Sequence, residues 1–272
     1  MPGDLILKKT TRGVTTLTMN NPARLNGWTA NMIDALKASF AAAAKDEETK
    51  ALIFTGTDPY YCAGVNLGAT IKLGHPKALH AFIVEHNQAL FDAFIDFPKP
   101  ILIAANGPAI GACVTSATLC NGIIASEKAT FSTPFDALGV PPEGCSSVMF
   151  PRLLGDSAQR MLGEEGWKPT AAEAEEVGLV NWVVPHEKLM EEAQRIAEGW
   201  IEEGVTRSYR AGFTREELEA VNAKESVQVA SAFLSPPFLD GQFKFLWSKK
   251  KRRNALIFLA LRVTHPAWSL LL

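Results

Sequence analysis

Two apolar runs, each closed by a glycine, constrain this chain most: "KALIFTG" (50–56) and "PILIAANG" (100–107). Neither alternates polar with apolar, so each reads as a strand buried on both faces. Each also follows a segment of helical spacing. In "TANMIDALKASFAAAAK" (29–45), Met32, Leu36, Phe40 and Ala43 share one face and Thr29 is placed to cap the first turn. The second helix is "PKALHAFIVEHNQALFDAFIDF" (76–97). A chain that alternates in this way folds as an α/β layer structure.

The flanks extend that reading. "DLILKK" and "GVTTLTM" form a hairpin turning at Thr11-Arg12-Gly13, and "IIAS", "ATFST" and "LVNWVV" are further strands. From His186 onward helical periodicity dominates. The expected organisation is a core over 1–205, a helical region over 206–252, and an apolar tail over 253–272 that does not read as the ordinary continuation of a soluble helix. Arg262 and Pro266 interrupt that tail, so it lacks the run of about 20 apolar residues that a membrane span needs.

Charge and motifs exclude several classes. Of 272 residues 47% are hydrophobic, enough for a sizeable core, and the net charge is −2, which argues against a nucleic-acid-binding surface. The basic run Lys249–Arg253 is either a solvated helix end or a phosphate contact. Neither GxGxxG after the first strand nor GxxxxGK[ST] occurs, so nucleotide cradles are missing. The four cysteines, 62, 113, 120 and 145, have no zinc-type spacing and are expected to be reduced. No metal and no separate cofactor is expected.

Three segments carry possible chemistry. In "YYCAGVNLGA" (60–69) and "ANGPAIGACV" (105–114) a buried strand runs through a Gly-rich turn into a helix of small residues. Unpaired N–H groups at such starts can hold a developing negative oxygen; the alternative reading is a tight turn built for close packing. In "STPFDALGVPPEGCSS" (132–147), prolines and a glycine fix the backbone around one carboxylate, Glu143. It is either solvated turn filler or a base held on a stiff corner. A Cys145–His pair is a rival nucleophile, although no triad context surrounds it.

Together with "TAAEAEEVGLVNWVV", these segments resemble the crotonase, or enoyl-CoA hydratase/isomerase, superfamily, in order and from about Leu5 to about Lys250. The resemblance implies a crotonase-like spiral of ββα units with a C-terminal helical trimerisation region, packing as a homotrimer or a dimer of trimers. It implies an acyl-CoA thioester as substrate, CoA being part of it. The oxyanion donors would be the N–H groups of Val65, in Gly64-Val65-Asn66, and Ala112, after Gly111; the family often has Asp where Asn66 stands. The two hydratase glutamates fall at Thr115 and Phe135, so hydration is disfavoured. The single acid Glu143, in an "EGCSS" turn, is similar to that of the peroxisomal-type 3,2-trans-enoyl-CoA isomerases, with Asn87 as the matching supporting amide.

The same resemblance implies substrate contacts at Arg24 and at the backbone near Ala23 and Asn26 in "NPARLNGW", at Ala63, Gly64, Gly111, Phe135 and Leu138 around the acyl group, and at Lys249 or Lys250 near the CoA phosphates. Peroxisomal residence is implied by the branch alone, since "SLLL" is not an SKL-type terminus; the cytoplasm stays open. Another acyl-CoA enzyme of this fold, hydratases included, and a non-catalytic acyl-CoA-binding scaffold are the alternatives.

Overall fold

The computed structural model describes residues 4–65, 74–163 and 165–272. Strands β1 (Ile6–Thr11) and β2 (Val14–Met19) pair antiparallel, with Thr11 opposite Val14. Arg12 and Gly13, the two loop residues, both have positive φ, the geometry that keeps a two-residue hairpin in step with strand twist. Strands β3 (Ala51–Gly56), β4 (Ile101–Ala105), β6 (Gly122–Ser126) and β8 (Trp182–Val184) continue the sheet in parallel, in the order β1-β2-β3-β4-β6-β8. A small second sheet pairs β5 (Ala109–Ile110) with β7 (Phe131–Ser132).

Every residue of β3, β4 and β6 is buried, as the unbroken apolar runs require. On one face Ile53, Leu102 and Ile124 meet Leu189, Ala193 and Ala197 of α8 (Leu189–Glu202). On the other, the main core holds α1 (Ala30–Lys45) and α2 (Pro76–Ile95) against the sheet. The α1 face is the expected one, Met32, Leu36, Phe40 and Ala43, and the Thr29 hydroxyl caps the Met32 N–H at 3.3 Å.

The helices that frame the site are short: α3 (Ala112–Thr118), α4 (Phe135–Leu138) and α5 (Ser146–Leu154). Then α6 (Ser157–Leu162) and α7 (Ala171–Glu176) lead into β8. Beyond α8 the chain is helical: α9 (Arg215–Phe233), α10 (Pro236–Ser248) and α11 (Arg252–Trp268). A second apolar cluster ties these helices to α2 and α4 through Leu79, Ile83, Phe135, Val229, Phe233, Phe238 and Phe258.

The tail differs from its sequence expectation. It continues as α11 and packs on its own α10, with Ala255 and Phe258 buried, Phe258 edge-on to Phe238, and Arg262 paired to Asp240 at 3.0 Å. An i, i+3 pair of apolar residues is enough to give the helix one buried stripe, despite Pro266 near its end. The short helix expected after Gly64, together with Asn66, lies outside the described residues. Among the described residues no helix is long and apolar enough to cross a membrane.

Candidate active site

Strands β3 and β4 are parallel neighbours, so their carboxyl ends open side by side. In parallel sheets that edge is where ligands bind. The two chains leaving it stay zipped together: Cys62 N–H donates to the Pro108 carbonyl at 3.2 Å, and Ile110 N–H to the Cys62 carbonyl at 3.0 Å. Gly64 is needed for this approach. It has φ +83°, and a Cβ there would stand 2.6 Å from the Ile110 carbonyl oxygen.

The pairing sets Val65 and Ala112 on one wall. Neither N–H donates to an acceptor among the described residues. The Ala112 N–H begins α3, where no intrahelical acceptor exists. By contrast Ala63 N–H is used, donating to Leu25 O at 3.0 Å, and Gly64 N–H lies 3.3 Å from Cys62 Sγ.

Opposite stands the turn before α5. Gly144 (φ +64°) and Cys145 (φ +64°) are both left-handed, and the Ser146 hydroxyl donates to the Glu143 carbonyl at 2.8 Å. The turn is clamped from α9: Glu225, 1% exposed, accepts the N–H of Cys145 at 2.6 Å and of Ser147 at 3.0 Å. Its carboxylate thus caps α5 from a distant helix. Glu143 itself is 8% exposed. Its Oε2 accepts Asn87 Nδ2 at 2.8 Å, and Oε1 accepts nothing from the described residues.

These pieces face one cavity of about 360 Å³ lined by Ala63, Gly64, Val65, Gly111, Ala112, Phe135, Leu138 and Glu143, with Val140, Phe233 and Phe245 closing it. Among the described residues Glu143 is its one acidic lining residue. Burial pushes the Glu143 carboxyl up to about 7; the Asn87 amide opposes that and nearby Glu225 adds to it. Asn87 stands behind the carboxylate rather than on the cavity wall.

The remaining sequence candidates sit apart from the cavity wall. Ala23 and Arg24 lie exposed on a single 3-10 turn, Pro22–Arg24. Asn26 is fully buried, and its amide is spent on the loop: Nδ2 donates to Thr57 O and Tyr60 O, both at 2.7 Å, while Oδ1 accepts the Asn21 N–H at 2.9 Å. Lys249 is exposed with its Nζ 5.9 Å from the ring centroid of Phe245, at the cavity's rim, and Lys250 is exposed beyond it. The rival nucleophile does not fit. Cys145 is fully buried, its thiol donates to Leu218 O at 3.3 Å, and burial drives its ionisation far upward.

Sequence reasoning missed Glu225, Ser226, Phe233 and Phe245. All lie on the C-terminal helices, far from the motifs. The one signal was a Glu-Ser pair, 225–226, at an inward position of α9. Among the described residues no group of His, Cys, Asp and Glu is placed to hold a metal ion.

The chain is 31% identical to the rat protein named enoyl-CoA delta isomerase 2 over 262 residues, 90% of this chain and 64% of that one. It is 36% identical over 181 residues to the mouse protein named enoyl-CoA delta isomerase 3, peroxisomal, 66% of this chain and 57% of that one. It therefore spans less than two thirds of these relatives. A crystal structure of an enoyl-CoA hydratase/isomerase from Pseudoalteromonas atlantica T6c superposes with a TM-score of 0.74 at 26% identity, covering 90% of this chain and 97% of that one. Its fold is the crotonase-type α/β architecture expected above. The family described as enoyl-CoA hydratase/isomerase matches residues 9–232, and the chain belongs to that family.

Proposed function

We propose that this protein moves the double bond of a 3-enoyl-CoA to the 2-trans position, with Glu143 as the single proton shuttle. The observation that carries this reading is one buried carboxylate in an apolar cavity that also holds two backbone N–H groups without acceptors among the described residues. A hydratase must position and activate water, and at the places where the family's hydratases are expected to carry acids this chain has Thr115, fully buried, and Phe135. Neither is a base.

The chemistry follows from the geometry. Ionised Glu143 takes a proton from the α-carbon, and the electron pair moves toward the thioester oxygen. The N–H groups of Val65 and Ala112 hold the charge that develops there; one such donor is worth about 100- to 1,000-fold in rate. Protonated Glu143 then returns the proton to the γ-carbon. No atom is gained or lost, so one residue near neutrality serves as base and then acid. The apolar walls keep water from the dienolate.

The CoA part would lie along the Arg24 loop, which is tied to the oxyanion wall by the Ala63–Leu25 and Trp28–Gly64 backbone bonds. Lys249, exposed beside Phe245, is the candidate phosphate contact. The names of the rat and mouse relatives support the isomerase reading, and the mouse name supports a peroxisomal place for it. Assembly as a homotrimer or dimer of trimers belongs to the same proposal. The test is direct: purified protein should convert 3-hexenoyl-CoA to the 2-enoyl isomer with no change in mass, and Glu143→Gln should abolish it. Activity that survives in the Gln variant sinks the assignment. A wild type that binds acyl-CoA without turnover makes the protein a binding scaffold instead.

A further inference from the structure

We propose that Ser226 and Asn222 are positioning residues: they lock the Asn87 amide with Nδ2 toward Glu143, so that Oε2 is anchored and Oε1 alone carries the proton. The inference rests on Glu143 being the shuttle.

The network runs inward from the site. Ser226 Oγ donates to Asn87 Oδ1 at 2.9 Å and lies 3.5 Å from Asn222 Oδ1. Asn222 Nδ2 donates to Asp92 Oδ1 at 2.8 Å and to the Gln88 carbonyl at 3.0 Å. Asn222 and Ser226 are both fully buried. A serine hydroxyl has one proton to give. The donors of Asn222 are spent on Asp92 and Gln88, so it turns only its oxygen toward Ser226. The hydroxyl must then donate to one of two amide oxygens, and the shorter distance selects Asn87.

That choice fixes the Asn87 amide. With Oδ1 held by Ser226, Nδ2 is the end presented to Glu143. An N–H donor stabilises a carboxylate and does nothing for a protonated oxygen. The lock therefore favours the ionised form at Oε2 and leaves the proton to Oε1. Without Ser226 the planar amide is free to turn and offer its oxygen to a protonated Glu143. The neutral acid then gains a bond it lacks now, and the shuttle loses its preferred oxygen.

Other titratable groups face the network from both packed helices. Glu225, from α9, is held by the turn's N–H groups, and the Cys145 thiol lies beside it. Asp92, from α2, anchors Asn222, with Asp96, Glu219 and Arg215 further along. No lysine, arginine or histidine among the described residues bonds to Asn87, Ser226 or Asn222.

The test reads the carboxyl itself. A ¹³C NMR titration of Glu143 in substrate-free protein, assigned with Glu143→Gln, gives its midpoint without relying on turnover. Ser226→Ala should raise that midpoint by about half a pH unit or more, and should lower kcat for 3-hexenoyl-CoA near pH 6.5 several-fold with KM unchanged. Ser226→Thr, which keeps the hydroxyl, should restore both. Should Ser226→Ala fail to fold, Ser226→Cys, a weaker donor of like size, should move the midpoint in the same direction. A folded variant with the wild-type midpoint overturns the positioning role. If wild type shows no isomerase activity while Ser226→Ala still raises the midpoint, the shuttle assignment falls and the amide lock on Glu143 stands.

Discussion

The Glu225 carboxylate accepts the Cys145 backbone N–H at 2.6 Å across 80 residues of sequence, so a helix near the C-terminus holds the turn that presents Glu143. Removing that acceptor leaves the buried Cys145 N–H, and the N–H of exposed Ser147, without this partner. An orphaned buried donor costs about 1–3 kcal/mol. Glu225→Ala should therefore lower the midpoint of thermal or urea unfolding clearly, and should also loosen the site. Glu225→Gln keeps one acceptor oxygen and should lose markedly less. Equal stability in wild type and Glu225→Ala, measured by urea titration, contradicts this account.

The Glu143 carboxyl has two pH signatures of opposite sense. As the proposed base it must be ionised, so kcat/KM should fall about tenfold per unit of pH below about 7 and level off above it. Stability runs the other way. The folded-state value is raised from 4.5 to about 7, so the protein favours the protonated form. That contribution is fully present below 4.5 and is lost as pH rises through about 7. Glu143→Gln should match wild type in stability near pH 4.5 and exceed it at pH 8, by up to about 3 kcal/mol. Parallel stability curves for the two proteins across that range would show that the carboxyl is not held in a desolvated place.

The turn was legible in sequence and its supports were not, for a physical reason. Local chemistry announces itself: two prolines, a glycine and a lone acid restrict φ and leave one functional group over. The strands β3 and β4 announce themselves as well, because burial on both faces removes every charged residue and leaves Thr55 as the one polar side chain. The partners of the turn sit elsewhere. Glu225, Ser226 and Phe233 occupy helical positions whose inward turn is set by tertiary packing, and the same packing brings half-exposed Phe245 to the cavity. Asn26 shows the converse. Its place in a motif pointed to a backbone contact with substrate, and the separate duty of its side chain, bracketing the loop between Asn21 and Tyr60, was not legible there.

Gly144 tests how tightly the turn is packed. A Cβ there would fall 2.4 Å from Phe91 Cε1 and 2.6 Å from Thr115 Oγ1, at φ +64°. Both the backbone and the surroundings reject a side chain. Gly144→Ala should destabilise by about 1–3 kcal/mol and should reduce the proposed isomerase activity more than Gly139→Ala, whose added Cβ meets nothing closer than 3.7 Å. Thermal melts of the two variants, side by side, settle whether crowding or the left-handed backbone dominates: Gly139 shares the positive φ, at +63°, without the crowding.

Ala112 allows the proposed oxyanion donor to be deleted at the backbone. It is the first residue of α3, and its N–H has no partner among the described residues. Proline is tolerated at that position, because its missing N–H is one the helix does not use and its φ suits the first turn. Ala112→Pro should therefore keep the unfolding midpoint close to that of wild type. If the N–H carries charge in the transition state, kcat should fall about 100- to 1,000-fold, while binding of a saturated acyl-CoA, which develops no such charge, should change far less. Ala112→Gly, which keeps the N–H, controls for the altered side chain. A proline variant that turns over like the glycine variant places the negative oxygen somewhere other than the start of α3.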